Sequence, residues 1–227
     1  MARLSKQAIQ RLAVLHALAM WQRGAYGPVR LQKTLFFADR HAKTGKPLFT
    51  FKKWWLGQYS DEISDALNAL REAGRIRSHY DGPSERLKAE VSPLARRQIE
   101  AMFRKAFPRW EKSLHRAFEE WAYLQNDTIV ERAHDDPTYK RSGYGKVIFS
   151  SFLADSVDIP GLDPDIAEDL SDLVDVRLQR GLAKRLAEAV ERPARREDWR
   201  RIYFADPRSS RNCAMCHPGS GQRTRVS

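Results

Sequence analysis

The sequence predicts a mostly α fold: a winged-helix-like helical core with a small β-hairpin, followed by a helical C-terminal extension. Three observations predict it. Apolar residues recur at three-and-four spacing along the first seventy residues, interrupted by glycine and proline. Two β-prone runs, "RIRSHY" and "RLKAEV", flank the turn sequence "DGPSE". Helical periodicity then returns over residues 93–124 and again over 177–192.

The first helix spans residues 5–23, with Ile9, Leu12, Ala13, His16 and Ala19 on one face; Gly24 and "YGP" end it. Pro28 opens the second helix, where a missing N–H costs nothing. That helix buries Leu31, Leu35, Phe36 and Ala38 and runs to about Lys43, before "KTGKP". "LFTFKKWWLG" reads as a short strand or extended segment. Trp54 and Trp55 would then point to opposite faces, leaving one of them exposed. Ser60 caps the third helix, Asp61 and Glu62 suit its positive end, and Gly74 stops it. Ser92 and Pro93 open the helical run to residue 124, which Pro108 kinks or splits.

The 227 residues carry 40 Lys and Arg against 29 Asp and Glu, a net charge of +11, and 42% are hydrophobic. This suits one domain with an appendage and favours acidic partners, nucleic acid first. No run approaches the roughly 20 apolar residues of a membrane span, and "MARLSKQAIQ" does not resemble a signal peptide. With two cysteines only three positions apart, the expectation is a cytoplasmic protein without a disulfide framework. Residues 1–150 are expected to form the helical domain, 151–205 a helical extension and 206–227 a flexible tail. Within the extension, residues 155–175 hold eight acidic residues and no Lys or Arg. Leu178, Leu182, Leu186 and Val190 stripe a basic amphipathic helix beyond them.

Three helices followed by a hairpin follow the order of a winged helix. In a DNA-binding reading, Arg75, Arg77, Arg86 and Lys88 on the hairpin meet phosphates, while Asn68 and Arg71 are the base-reading candidates on the third helix. Against this, Asp61, Glu62, Asp65 and Glu72 make that helix acidic, and solvated charges on exposed strands explain the hairpin equally well.

"ERAHDDPTYK" sets His134 beside Asp135 and Asp136. A carboxylate before Pro137 is what a helix start requires, so the segment is read as structure or partner contact rather than chemistry. No second His–carboxylate cluster completes a metal site. "CAMCH" (Cys213, Cys216, His217) matches the covalent haem attachment pattern, but it lies in a polar tail, and its use by zinc, by redox chemistry or by nothing is left open. No Gly-rich phosphate loop, activated nucleophile or paired-carboxylate motif is present, so neither catalysis nor a cofactor or metal is expected.

"RLQKTLFFADRHAKTGKPLF" resembles the opening signature of the Panacea domain of SocA-like antitoxins. The matching residues are Leu31, Gln32, Lys33, Phe36, Phe37, Ala38, His41, Gly45, Pro47, Leu48 and Phe49. "YLQNDTIVERAHDDPTYKRSGYG" resembles its later signature through His134, Asp136, Pro137, Tyr139 and Lys140. Gln58 departs from the pattern, standing where the family commonly has proline. The resemblance covers roughly residues 5–150. It implies a mostly helical antitoxin that neutralises a cognate toxin by direct contact, some members delivering the toxin to a protease. The partner-binding residues expected on this basis are Gln32, Lys33, Trp54, Trp55, Tyr59, His134, Asp136, Tyr139 and Lys140. A winged-helix transcriptional regulator is the alternative.

Overall fold

A computed structural model describes residues 2–21, 25–42, 47–81, 84–121 and 124–175. It is mostly α with small antiparallel sheets. At its centre lies α1 (Lys6–Met20), started by the Ser5 hydroxyl, which accepts the Ala8 N–H. Every residue from Ala8 to Leu18 except Arg11 is buried, so this helix is enclosed on nearly all sides. Beside it, α2 (Gly27–His41) is buried from Arg30 to Asp39. Enclosure on that scale forces Gln32, Lys33, Thr34 and Asp39 into the interior, where each polar group needs a partner.

The remaining helices start and stop where local chemistry directs. α3 (Asp61–Glu72) is capped by Ser60, and Gly74 follows at φ 68°. α4 (Pro93–Ala106) is capped by Ser92, and Pro108 begins a separate α5 (Pro108–Trp121). After α6 (Asn126–Asp135), Asp136 caps the short α7 (Pro137–Arg141), and Asp163 caps α8 (Pro164–Val174).

Three small sheets tie distant segments together. β1 (Ala2–Ser5) pairs antiparallel with β8 (Ser156–Ile159), Ala2 opposite Ile159. β2 (Ala25–Tyr26) lies beside β6 (Ser84–Ala89), which forms a hairpin with β5 (Ile76–Asp81); the strand order is β2-β6-β5. β3 (Phe51–Trp54) pairs with β4 (Gly57–Tyr59) and with β7 (Val147–Phe149) on its other side.

The expected boundary at residue 150 does not appear. The first compact unit runs from Met1 to Arg177, because β8 and α8 complete the core. The acidic stretch buries Ile159, Ala167, Leu170 and Val174 and keeps its carboxylates outward. Its helix is held by Arg11, which donates to the Val174 carbonyl, and by Arg75, which donates to that of Leu173. The expected basic helix over 177–192 and the Cys213–His217 motif lie outside the described residues. Among the described residues, no helix is long and apolar enough to cross a membrane.

If α8 is core, Leu170→Ala destabilises the whole unit by about 2–5 kcal/mol, the usual loss for a fully buried leucine. Urea unfolding checks this. A loss within about 0.5 kcal/mol, the usual range for surface substitutions, would make the helix an appendage.

Candidate functional site

The site is built on adjacent residues of α2. Gln32 binds the Ser60 backbone twice, donating Nε2–H to the carbonyl and accepting the N–H, both at 2.9 Å. Lys33 Nζ donates to the Gln58 carbonyl at 2.5 Å. Gln58 in turn donates from Nε2 to the Ala133 carbonyl of α6 at 2.9 Å. Gly57 passes directly over the amine at φ 95°; a Cβ there would lie 2.9 Å from Lys33 Nζ and 3.0 Å from Ala133 Cβ. Only glycine meets both demands. Burial drives the Lys33 pKa down from 10.5 to about 7.

Gln32 and Lys33 are therefore corrected as direct partner contacts: 3% and 2% exposed, they bind this chain's own backbone. Asp136 is corrected in the same way. One of its oxygens accepts the backbone N–H groups of Thr138 and Tyr139, and the other accepts Arg40 Nε at 2.9 Å. Burial alone would raise its pKa, but the bonds from Thr138 and Arg40 outweigh it and hold the carboxyl below its usual range. The "HDDP" run thus acts first as a helix start.

The other expected contacts converge on the β3–β4 hairpin. Trp54 pairs with Gly57, so Trp55 and Leu56 form a two-residue turn. Because Trp55 lies in the turn and not in a strand, the expected alternation fails and both tryptophans are exposed, at 38% and 70%. Tyr139 donates its hydroxyl to the Trp54 carbonyl at 2.8 Å, and His134 Nε2 lies 3.0 Å from that of Trp55. The His134 and Tyr139 rings stack at 4.9 Å, and Lys53 Nζ sits 4.4 Å from the Tyr139 centroid. Tyr59 lies 6.0 Å from Trp54, with Lys52 over both rings. Lys140 is exposed and pairs with Asp135 at 2.9 Å. Sequence reasoning missed Tyr144, whose ring stacks on Trp54 at 5.2 Å and reaches Trp55 at 4.6 Å. The turn signal "SGYG" is its only local trace. The exposed Leu56 and Val147 were missed as well.

The DNA-binding candidates are spread over different surroundings. Arg71 donates to Glu85 at 2.6 Å, to Ser78 and to Asn68, so both base-reading candidates are bonded to each other. Arg75 faces α8. The hairpin register pairs Arg77 with Lys88 and His79 with Arg86, which puts these four on one face. Arg77 and Lys88 approach Glu90 at 3.6 and 3.9 Å.

A separate network pairs buried His16 and Glu111 and reaches the exposed His115: Glu111 lies 2.8 Å from His16 Nε2 and 3.0 Å from His115 Nε2. Burial would raise the Glu111 pKa, but the two imidazoles outweigh it and lower it. Among the described residues, no group of three or more His, Cys, Asp or Glu is placed to hold a metal ion. Compared with known proteins, the chain matches no family model, no curated protein and no solved structure.

The Lys33 environment gives a pH signature. Between about 7 and 10.5 the unfolded chain keeps the lysine proton and the fold releases it, so stability from this residue rises with pH across that window. Measured against Lys33→Met, the wild type should gain relative stability from pH 7 to pH 10 in chemical denaturation. A difference flat in pH would mean that the buried amine keeps its proton.

Proposed function

We propose that this protein is a non-catalytic, antitoxin-like binding protein that neutralises a cognate protein toxin by direct contact. The observation that carries the reading is convergence. The two stretches that resemble the Panacea signatures meet through Arg40 and Asp136, 96 residues apart, and both support one exposed aromatic surface. α2 holds the hairpin from inside through Lys33, and His134 and Tyr139 hold its tip from outside. Exposed tryptophan and tyrosine on a fixed frame suit protein contact, where such rings dominate binding energy. The toxin contacts are then Trp54, Trp55, Tyr59, Tyr139 and Lys140, with Gln32, Lys33 and Asp136 positioning them. Handing the bound toxin to a protease in the cytoplasm would use the same surface.

A specific observation also favours a second reading, a winged-helix regulator that binds DNA. The order α1–β2–α2–β3–β4–α3–β5–β6, with β2 joining the β5–β6 hairpin as a third strand and the β3–β4 hairpin inserted between α2 and α3, supports a winged-helix-like core. The face bearing Arg77, His79, Arg86 and Lys88 supports phosphate contact. The acidic outer face of α3, with Asp61, Asp65 and Glu72 exposed, weighs against entry into a major groove.

Co-expression with the product of the neighbouring gene tests the first reading. Growth should be rescued and the two proteins should co-purify, with Trp55→Ala weakening the complex by about 2 kcal/mol or more. Unchanged toxicity without co-purification would end this reading.

For the second reading, DNA affinity at several salt concentrations decides. Arg77→Ala and Lys88→Ala should each reduce the log–log slope by about 0.9, the value of one neutralised phosphate. No mobility shift at low salt removes the regulator.

A further inference from the structure

We propose that the groove between α4 and α8 docks an amphipathic helix of a partner protein, one with carboxylates along one flank of its apolar stripe and cations along the other. None of the groove's residues belongs to the aromatic hairpin surface. Two cavities of about 340 and 290 Å³ join at Gln98 to form it. The first lies between residues 97–105 of α4 and residues 159–166, which lead into α8. The second lies between residues 92–98, at the start of α4, and residues 169–173, at the end of α8. The two helices therefore run antiparallel along the groove. Met102, Ile159, Leu162 and Ile166 give the first cavity its apolar lining, and Leu94, Leu170 and Leu173 the second. Leu94 is 67% exposed, and Leu162, Ile166 and Leu173 are only partly buried, so the groove leaves apolar surface in water.

The charges on the two walls choose the occupant. The ionisable residues that line the groove from α4 are both cations, Arg97 and Lys105. Those on the facing wall are all carboxylates, Asp163, Asp169 and Asp172. At one end Arg75 donates to the Leu173 carbonyl at 2.9 Å, and toward the other Lys105 donates to the Gly161 carbonyl. Glu100, the single carboxylate of α4, does not line the groove and pairs with Arg104. No ion pair among the described residues joins Arg97 or Lys105 to Asp163 or Asp169, so the walls face each other with opposite charges that they do not neutralise.

A helix fits these walls better than other guests. Leu94, Gln98, Ala101 and Lys105 follow at three-and-four spacing along α4, as do Ile166, Leu170 and Leu173 along α8. Two such ridges leave between them the furrow into which a third helix packs. The α4 row rises about 16 Å, which matches about three helical turns of a partner. An extended strand would find no backbone to pair with, because α4 and α8 bond their own N–H groups internally. Three aspartates repel a nucleic-acid phosphate. A fatty acid would answer the cationic wall with its carboxylate and leave the acidic wall unanswered. A helix can enter in either direction, so a mixed-flank helix always has one orientation that sets its carboxylates beside α4 and its cations beside α8.

The full chain is titrated with three labelled helical peptides that share one leucine stripe and differ in its flanks: glutamate on one and lysine on the other, glutamate on both, or lysine on both. The mixed peptide should bind about tenfold more tightly than either of the others. Arg97→Glu should remove its advantage over the lysine-flanked peptide, and Asp169→Lys its advantage over the glutamate-flanked one. Both residues are exposed, and a change of preference, unlike a loss of binding, cannot come from unfolding. Ala101→Trp, which fills the groove from an exposed position, should abolish binding of the mixed peptide without lowering the unfolding midpoint. Trp55→Ser, on the hairpin, should leave that binding unchanged, so this inference and the toxin-contact reading stand or fall separately. Equal affinity for the three peptides, preferences unmoved by both charge variants, or loss of binding in Trp55→Ser overturns the proposal. Laurate that binds the chain and is blocked by Ala101→Trp, with no preference for the mixed peptide, makes the groove a lipid site and overturns it as well.

Discussion

Two neighbouring side chains of α2 carry the backbone of another element, and much of the molecule follows from that. Gln32 occupies both hydrogen-bonding groups of Ser60, and Lys33 fills the Gln58 carbonyl. An edge backbone buried against a helix would otherwise leave polar groups unmet, at about 1–3 kcal/mol each. The lysine comes without a carboxylate, so the interior favours its neutral form, and burial sets its pKa to about 7. The contact requires close approach, which Gly57 permits by lacking a side chain. From this junction the positions of three other elements follow. Ser60 is free to cap α3 with its hydroxyl because its backbone is already satisfied; Gln58 reaches α6; and the hairpin turn is pushed out to the surface.

The same principle recurs nearly two turns along α2. The Asp39 carboxylate accepts the N–H groups of Leu48 and Phe49 and the indole Nε1–H of Trp110. It thereby fixes both the chain entering β3 and the start of α5. Complete burial raises its pKa to about 7 despite those three bonds, and Glu62 adds to the shift. The aromatic core assembles around this frame, with Phe36 against Phe37, Phe51 and Phe149 at centroid distances of 5.2 to 5.4 Å. Polar groups inside α2 thus set geometry, and apolar rings fill the space that geometry defines.

This division explains what is legible in the sequence. Local chemistry is readable: the Ser60 and Ser92 caps, the split at Pro108, the β5–β6 hairpin and the Asp136–Pro137 start all depend on neighbours within a few residues. Pairings set by distant partners are not. Nothing in "ARLS" announces a strand, because β1 exists only against β8, some 155 residues away. The acidic stretch looks like an appendage because its charges dominate its composition, while Ile159, Leu170 and Val174 supply the buried side. Gln32 and Lys33 look like contacts because a polar pair on an amphipathic helix usually faces water; α2 is enclosed, so they face inward. At Gln58, where the Panacea pattern commonly has proline, the side chain donates to α6, which proline could not do. The sequence groups His134 and Tyr139 with Trp54 and Trp55, but their link through two backbone carbonyls could only come from the fold.

The hairpin tip separates what the fold needs from what a surface needs. Its backbone is secured at both carbonyls, by Tyr139 at Trp54 and by His134 at Trp55, and Gly57 supplies the positive φ that lets the chain reverse. None of these anchors uses an indole ring. A two-residue turn is ordinarily filled by Asn, Asp or Gly, and large rings there gain little from the core. Trp55 remains 70% exposed and touches chiefly Tyr144, itself 47% exposed, so the fold recovers little of the area these rings bring. Rigid support beneath exposed rings lowers the ordering cost of binding, because the backbone that carries them is fixed before a partner arrives. Solubility would favour polar residues at such a tip. That this one is aromatic, on a backbone fixed from beneath, is what a docking surface requires and what the packing of this chain alone does not.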